Sequence, residues 1–195
     1  MSHPLAEIVQ IEAGCVFRTR LEPSLHDDAI PVLQLKDVGA NARIEGSDLM
    51  RIDTSTNVDR YRVRTGDVIL ACRGARFPAA EIMPSAEGAV AISLFHILRV
   101  KPGSSVHPSY VAWYLNLPET QDYLHQHAAG SGIPFLNRET VGQISIPVPP
   151  LDWQLRFIEY YHLLLQERAL SEQLAVARRR QMLALARRLT LSHLR

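Results

Sequence analysis

The pattern of apolar and polar positions divides the chain into two parts. Up to about residue 100, short apolar or β-branched runs alternate with turn-rich segments, which is typical of β-strands joined by turns. The expected strands are residues 6–11, 30–35, 66–72 and 89–100. From Leu151 to Arg195 the chain contains neither glycine nor proline, and residues that favour helices dominate, which predicts one long helix.

Shorter helices and a glycine-rich loop are expected between these two parts. The stretches 108–116 and 118–128 predict two helices, and the second opens on a proline, which is tolerated in the first helical turn. Residues 129–137 form a flexible Gly-Ser loop, and Asn137 is expected to cap a single helical turn. A β-type run at 144–148 then leads through prolines directly into the long helix.

The long helix carries the seven-residue apolar repeat of a coiled coil. A continuous helix over these residues spans roughly 65 Å at about 1.5 Å per residue, too long for the preceding domain to cover, so it either frays or pairs with another chain. The seam residues are Leu163, Leu170, Leu174, Ala177, Gln181 and Ala184. The sequence therefore predicts an α+β protein with a β-rich mixed domain over residues 1–150 and a helical arm over residues 151–195.

Composition indicates a packed cytosolic protein. The chain is 47% hydrophobic and 21% charged, and no apolar stretch approaches the roughly 18 residues of a membrane span. The first residues lack the basic start of a signal peptide, so a cytoplasmic location is expected. Cys15 and Cys72 are not arranged as Cys-x-x-Cys, and we expect both to be buried and reduced.

Charge is distributed unevenly although the formal net charge is only +1. Residues 151–195 contain eight arginines and four acidic residues, so the remainder of the chain is acidic overall. Only two of the 21 lysine and arginine residues are lysines. Arginine favours bidentate contacts to phosphate and guanine, although a GC-rich genome would produce the same bias.

Motifs of catalytic or cofactor sites are not found in the sequence. Gly66 and Gly74 do not have the spacing of a dinucleotide or adenosylmethionine loop, and "VPPLDW" lacks the amide or acid of an amino-methyltransferase motif. His125 and His127 are two residues apart, which places them on different faces of a helix rather than on one, as metal ligands require. We expect no enzyme activity, no cofactor and no metal.

Four stretches of the chain follow one another in the order seen in a known family. They are "IPVLQLKDVGANARI", "YRVRTGDVILACRG", the helices and Gly-Ser loop of residues 107–151, and "PVPPLDWQLRFI". In this order they resemble the specificity subunit of Type I restriction–modification systems, with Trp153 where the family usually has Glu before Gln154. The resemblance covers nearly the whole chain, but a usual member has two recognition domains and two helices, so this chain looks like a half-subunit.

The resemblance implies a DNA-binding subunit that acts in phage defence. It would direct methyltransferase subunits and a restriction subunit to an interrupted site on double-stranded DNA, and those subunits would supply the catalysis. Two half-subunits that pair their helices antiparallel would place a target-recognition domain at each end, and their twofold symmetry would demand a palindromic site. Pro147, Pro149 and Pro150 would lock the angle between strand and helix, so that the helix fixes the spacing.

Nine side chains are candidate DNA contacts within the recognition domain. They are Lys36, Arg43, Arg60, Arg62, Arg64, Arg73, Arg76, Ser131 and Asn137. The arginines at 60, 62 and 64 alternate, are expected on one face of a strand, and are assigned to phosphates. Arg73 and Arg76 lie on a glycine-flanked loop that can enter a groove, so they are assigned to base edges. The alternative for these arginines is a solvated face or salt bridges to nearby acids.

Two other functions remain open from the sequence. The same β-rich domain and coiled coil would suit an interaction protein that acts as an assembly factor or inhibitor of such a complex without contacting DNA. An enzyme with an unfamiliar site is the third possibility. Salt-dependent DNA binding separates the first function from the other two. If the chain is a DNA-binding subunit, arginines beside the helix seam, at 178–180, 187 and 188, are candidates for docking the methyltransferase.

Overall fold

The structure is a computed structural model that describes residues 2–39 and 41–192, with side chains as far as Arg187. It is α+β, as the sequence predicts. The strands are β1 (Ser2–Pro4), β2 (Val9–Ala13), β3 (Ile30–Leu33), β4 (Arg43–Ile44), β5 (Met50–Ile52), β6 (Val68–Ala71), β7 (Ala79–Ile82), β8 (Val90–Ala91), β9 (Phe95–Val100) and β10 (Ser145–Pro147). The α-helices are α1 (Leu5–Ile8), α2 (Pro108–Leu115), α3 (Pro118–His127), α4 (Arg138–Gly142) and α5 (Leu151–Ser192).

The strands of the described chain form a five-stranded sheet, a three-stranded sheet and a separate pair. The five-stranded sheet has the order β2-β9-β6-β7-β4, and it is antiparallel except where β4 runs parallel to β7. The three-stranded sheet has the order β5-β3-β8, with β3 parallel to β8. The separate pair consists of β1 and β10, which lie near the first and the last residues of the globular part of the sequence.

The central strand β6 is covered on both faces, which explains its unbroken apolar sequence. Val68 and Leu70 pack into one cluster together with helix α2, whereas Ile69 and Ala71 pack into a second cluster with Leu33 of β3. Successive side chains of a strand point to opposite faces, so one four-residue strand contributes to both cores. The sheet is therefore a rigid layer from which the connecting loops extend.

Two of the expected strands differ in detail from the structure. The strand expected over 6–11 is instead helix α1 followed by β2, because Leu5 and Ile8 are both buried at helical spacing. The run 89–100 is divided into β8 and β9 by a turn at 92–94. The two helices α2 and α3 are confirmed, and Cys15 and Cys72 are buried and unpaired, as expected.

The start of the long helix is fixed to the globular part by one buried amide. The side chain of Gln154 is fully buried. Its Oε1 accepts from the backbone N–H of His107 at 2.9 Å, and its Nε2 donates to the carbonyls of Ser105 at 2.8 Å and Pro149 at 2.7 Å. Ile158, one turn later, is buried in the core. The first two turns of α5 are thus held from both the loop before α2 and the proline segment.

The chain divides into two compact units, one that ends at Ile158 and one that begins at Glu159. The first eight residues of α5 therefore pack with the β-rich unit. The functional division into a domain over 1–150 and a helix over 151–195 stays a proposal. No helix among the described residues is both long and apolar enough to cross a membrane.

Replacing Gln154 by alanine is expected to lower the free energy of unfolding by about 2–3 kcal/mol, because three backbone groups of His107, Ser105 and Pro149 lose their partner. Gln166 is an exposed glutamine of the same helix. The control Gln166→Ala should change stability by less than about 0.5 kcal/mol. Denaturant unfolding of both variants measures the difference, and equal values would show that the Gln154 bonds contribute nothing.

Candidate nucleic-acid interface

Loops from four parts of the chain meet at one end of the five-stranded sheet. Strands β2 and β6 are both antiparallel to β9, so they run in the same direction and end at the same side. β9 begins at that side, immediately after the turn at 92–94. We call the segments 14–20, 72–78, 92–94 and 129–137, which lie together here, the loop platform.

Backbone hydrogen bonds join the segments of the loop platform side by side. The bonds are Cys15 N–H to Ala91 O (2.7 Å), Ser93 N–H to Cys15 O (2.7 Å), Cys72 N–H to Leu94 O (2.8 Å), Leu136 N–H to Cys72 O (2.8 Å) and Gly74 N–H to Pro134 O (3.0 Å). Neighbouring hydrogen-bonded segments are spaced by about 4.8 Å, so these four span about 14 Å. This width is comparable with the roughly 12 Å of the major groove of B-DNA.

The Gly-Ser loop closes on itself within the platform. Ala129 and Phe135 exchange two backbone hydrogen bonds of 2.8 and 2.9 Å, which leaves residues 130–134 as a short projecting loop. Gly130 has a φ of +103°, in a region that side-chain-bearing residues avoid. The exposed side chains of this loop include Ser131, one of the expected DNA contacts. The two bonds fix the ends of this loop relative to each other.

His96 supports the Gly-Ser loop from inside the protein. It is a buried residue of β9, and its Nε2 donates to the carbonyl of Leu136 at 2.9 Å, because that carbonyl can only accept. Burial lowers the pKa of His96 below its ordinary value, against the hydrogen bond to Leu136, and the positive charge of Arg138 lowers it further. The imidazole is therefore neutral at physiological pH.

Arg73 and Arg76 lie on the platform with exposed side chains, as the sequence suggested. Arg73 forms a single antiparallel bridge with Phe135, which places it directly beside the Gly-Ser loop. Phe77, which follows Arg76, is fully buried and anchors this end of the segment. Within the described residues neither guanidinium group pairs with a carboxylate, so both are available to an external anion or base.

The prediction that a strand presents Arg60, Arg62 and Arg64 on one face is wrong. Residues 59–61 form a 3-10 turn, and the carboxylate of Asp67 accepts the backbone N–H of Arg64 at 2.8 Å, so the alternation of a strand is lost. The Arg62 guanidinium donates to Asp59 at 3.2 Å and to the Gly88 carbonyl at 2.8 Å.

The structure does not bring these three arginines together with Arg73 and Arg76. Arg64 precedes β6 at the end of the sheet opposite to the loop platform, whereas Arg62 forms a single antiparallel bridge with Val90 of β8. Arg60 lies closer to the loop platform, because its positive charge acts on the thiol of Cys15. Burial raises the pKa of that thiol, and the charge of Arg60 lowers it.

Lys36 and Arg43 have different environments. Lys36 is exposed in a 3-10 turn after β3, on the side where the parallel strand β8 leads into the platform. Arg43 begins β4 and is half-buried, with its Nε inside the protein. Lys36 is the better placed of the two for contact with a large ligand.

Asn137 caps helix α4, as the sequence predicts. Its side-chain oxygen accepts the backbone N–H of Thr140 at 2.7 Å. The oxygen is thereby occupied, and only the amide nitrogen remains as a donor for another molecule. Asn137 consequently has a structural role whatever else it contacts.

Arg18 and Arg20 were not among the sequence candidates, although they belong to the loop platform. Both follow β2, both are exposed, and neither pairs with a carboxylate in the described chain. The signal in the sequence is "FRTR" directly after an apolar run. It becomes informative only once β2 and β6 are known to run in the same direction.

The seam of the long helix is exposed in the second unit. Its six residues lie within an arc of about 80° when successive residues turn by about 100°. Leu170 is 65% exposed and Leu174 51% exposed, so the stripe has no partner in the described chain. Leu165, Ala169, Val176 and Leu183 form a second apolar stripe, about 130° from the first. Of the docking arginines, Arg188 lies outside the described side chains.

Comparisons with known proteins show a shared fold. No protein-family model and no curated protein sequence matches the chain. Solved structures do match, among them the HsdS subunit from Thermoanaerobacter tengcongensis, with a TM-score of 0.61 and 19% identity over 87% of this chain and 38% of that chain. A chain from a study of complex assembly and conformational transition of the type I R-M system matches with a TM-score of 0.59 and 19% identity, over 87% of this chain and 39% of that one.

A third match is the Type-I restriction-modification S subunit from M. genitalium, with a TM-score of 0.53 and 10% identity over 85% of this chain and 39% of that chain. The described chain thus has the fold of part of an S subunit, and it spans less than two fifths of the chains that it matches.

Acidification is expected to destabilise the protein through His96. The unfolded chain binds a proton on this side chain near its ordinary pKa of about 6.5, whereas burial opposes protonation in the folded state, so stability falls as pH decreases through that value. His96→Gln keeps a donor for Leu136 but cannot titrate. Between about pH 7.5 and 5.5 the variant should lose less stability than the unmodified chain. The exposed His125→Gln serves as control, and equal pH dependence in all three proteins would contradict the assignment.

Proposed function

We propose that the chain is a DNA-binding specificity component of a type I restriction–modification system. The observation that carries the proposal is the loop platform, which bears exposed arginines that pair with no carboxylate in the described chain, on the fold of an S subunit. Target recognition would belong to residues 1–150. The helix over 151–195 would set the distance between two such domains.

Contacts to DNA would be divided between bases and phosphates. Arg73 and Arg76 project from the platform, where a guanidinium group has the geometry for bidentate binding to guanine. Lys36, Arg18 and Arg60 suit phosphates, which fix the position of the domain without carrying sequence information. Arg62 is a weaker candidate for a phosphate contact, because its guanidinium already donates to the carboxylate of Asp59 and the carbonyl of Gly88.

Pairing of two copies through the helix seam would complete the recognition unit. The six-residue stripe is exposed and regularly spaced, and five of its residues are apolar, as in helices that associate. An antiparallel pair would carry one recognition domain at each end, and twofold symmetry would require an interrupted, palindromic site. The buried joint at Gln154 supports this arrangement because a loose joint would not define a spacing.

Catalysis would come from other subunits in the cytoplasm. Among the described residues no group of three His, Cys, Asp or Glu side chains is arranged to hold a metal ion. Methyltransferase subunits, together with a restriction subunit, would bind this component, and the second apolar stripe offers them a surface distinct from the dimer seam. The chain itself would contribute recognition, spacing and docking.

One observation favours an alternative function. The exposed apolar stripes of α5 would equally suit an interaction protein that assembles or inhibits such a complex without contacting DNA. That function gives no role to the unpaired arginines of the loop platform. DNA binding that weakens with salt distinguishes the two, because release of counterions accompanies phosphate contacts only.

Arg73→Ala and Arg76→Ala are each expected to narrow the affinity gap between cognate and scrambled duplexes by roughly 10–100-fold, the value of a lost bidentate contact to guanine. The matched control is Arg64→Ala, which removes an equally exposed arginine at the other end of the sheet. Arg64→Ala should leave the affinity gap between cognate and scrambled duplexes unchanged. The slope of log affinity against log salt concentration should decrease by about one unit only if Arg64 contacts a phosphate. Competition binding across a salt series measures both quantities, and equal loss on both duplexes for Arg73 and Arg76 would contradict base contact.

Leu170→Glu combined with Leu174→Glu is expected to convert the dimer to monomers, because both charges would be buried in the seam. Ser171→Glu combined with Ala175→Glu introduces the same charges at the same spacing, about 100° away on the helix, and should remain dimeric. Sedimentation of the two proteins at equal concentration provides the measurement. A dimer that survives the first pair of changes would place the interface elsewhere.

A further inference from the structure

Two apolar side chains of the platform are well exposed, Val16 at 67% and one at the tip of the Gly-Ser loop, which lies beside Arg73. Ile133 is 68% exposed at the tip of the Gly-Ser loop, and Phe135 behind it is 38% exposed. Ser131 is exposed in the same loop, and Arg73 is bridged to Phe135 from the neighbouring segment. Arginine contacts alone do not explain why isoleucine occupies this position.

The hydrogen bonds of the loop hold Ile133 in a defined place. Its neighbour Pro134 accepts the backbone N–H of Gly74 at 3.0 Å, so the tip lies next to the segment that carries Arg73 and Arg76. Closure of the loop between Ala129 and Phe135 restrains it from the other side. Because the backbone on both sides of Ile133 is already held by hydrogen bonds, less backbone entropy is lost when the loop binds, which favours selective contact.

We propose that Ile133 recognises the 5-methyl group of a thymine in the major groove. The inference rests on the proposed function, since it requires the loop platform to lie on DNA. Base edges in the major groove present hydrogen-bond donors and acceptors, and the thymine methyl is the apolar group among them. An isoleucine beside arginines that bind guanine therefore adds selectivity for an A·T pair. Each half-site consequently contains at least one thymine, on either strand.

Single replacement of each thymine by deoxyuridine, which removes only the methyl group, tests the proposal on the full chain. The starting duplex is one that the unmodified protein selects from a random pool. Loss of the methyl at one position in each half-site should weaken binding about three- to tenfold, as expected for one or two buried methyl-sized contacts. Ile133→Ala should bind the thymine and deoxyuridine duplexes equally at that position.

Leu25→Ala is the matched control. Leu25 is also apolar and is 99% exposed, but its neighbour Ser24 donates its backbone N–H to the carbonyl of Arg51, and among the described residues no backbone hydrogen bond joins this segment to the Gly-Ser loop. This variant should keep the full sensitivity to deoxyuridine. Thermal unfolding of both variants checks that neither exposed substitution has altered the fold.

Four results would overturn the proposal. A selected half-site without thymine, or an Ile133→Ala protein that keeps the same penalty for deoxyuridine, would exclude methyl recognition while leaving DNA recognition by the domain intact. If Ile133→Ala lowers the affinity for the thymine and the deoxyuridine duplex by the same factor, Ile133 packs against sugars or inserts between bases instead. Failure of the unmodified protein to distinguish any duplex from random DNA would remove the proposed function as well.

Discussion

The backbone of Cys72 is the point on which the candidate interface depends. Its N–H donates to Leu94 and its carbonyl accepts from Leu136, so one residue joins the end of β6 to the loops on both sides. Burial raises the pKa of its thiol, against the positive charge of Arg73 next to it, so the sulfur remains protonated and unreactive at neutral pH. Together with the bond from Gly74 N–H to Pro134 O, these two bonds hold the Gly-Ser loop against the arginine segment.

Rigidity of the same kind recurs at the other functional part of the molecule. Gln154 fixes the first turns of α5 through three backbone groups, and the proline-containing strand β10 pairs with β1. The candidate DNA contacts and the first eight residues of α5 therefore belong to one compact unit, in which hydrogen bonds hold both. A spacing between half-sites has physical meaning only when both the loops and the joint are stiff.

The sequence predicted those features that local chemistry determines. The helices opening on Pro108 and Pro118, the cap formed by Asn137 and the long helix all follow from residue type and spacing over a few positions. Features that depend on pairing between segments far apart in the sequence could not be predicted from it. The arginines at 60–64 looked like a strand, but Asp59 and Asp67 bind their side chains and backbone and impose turns. Arg18 was overlooked because only the strand order shows that β2 and β6 end together.

In the proposed function, two copies of one rigid platform, separated by a helical spacer, recognise DNA with twofold symmetry. Selection of bound duplexes from a random pool by the full chain tests this most directly, because the enriched sequence reveals both the symmetry and the spacing of the site without any assumption about its bases. We predict two inverted half-sites separated by a fixed number of unspecified base pairs. Enrichment of one asymmetric sequence, of half-sites with variable spacing, or of no sequence at all would contradict twofold recognition through a rigid spacer.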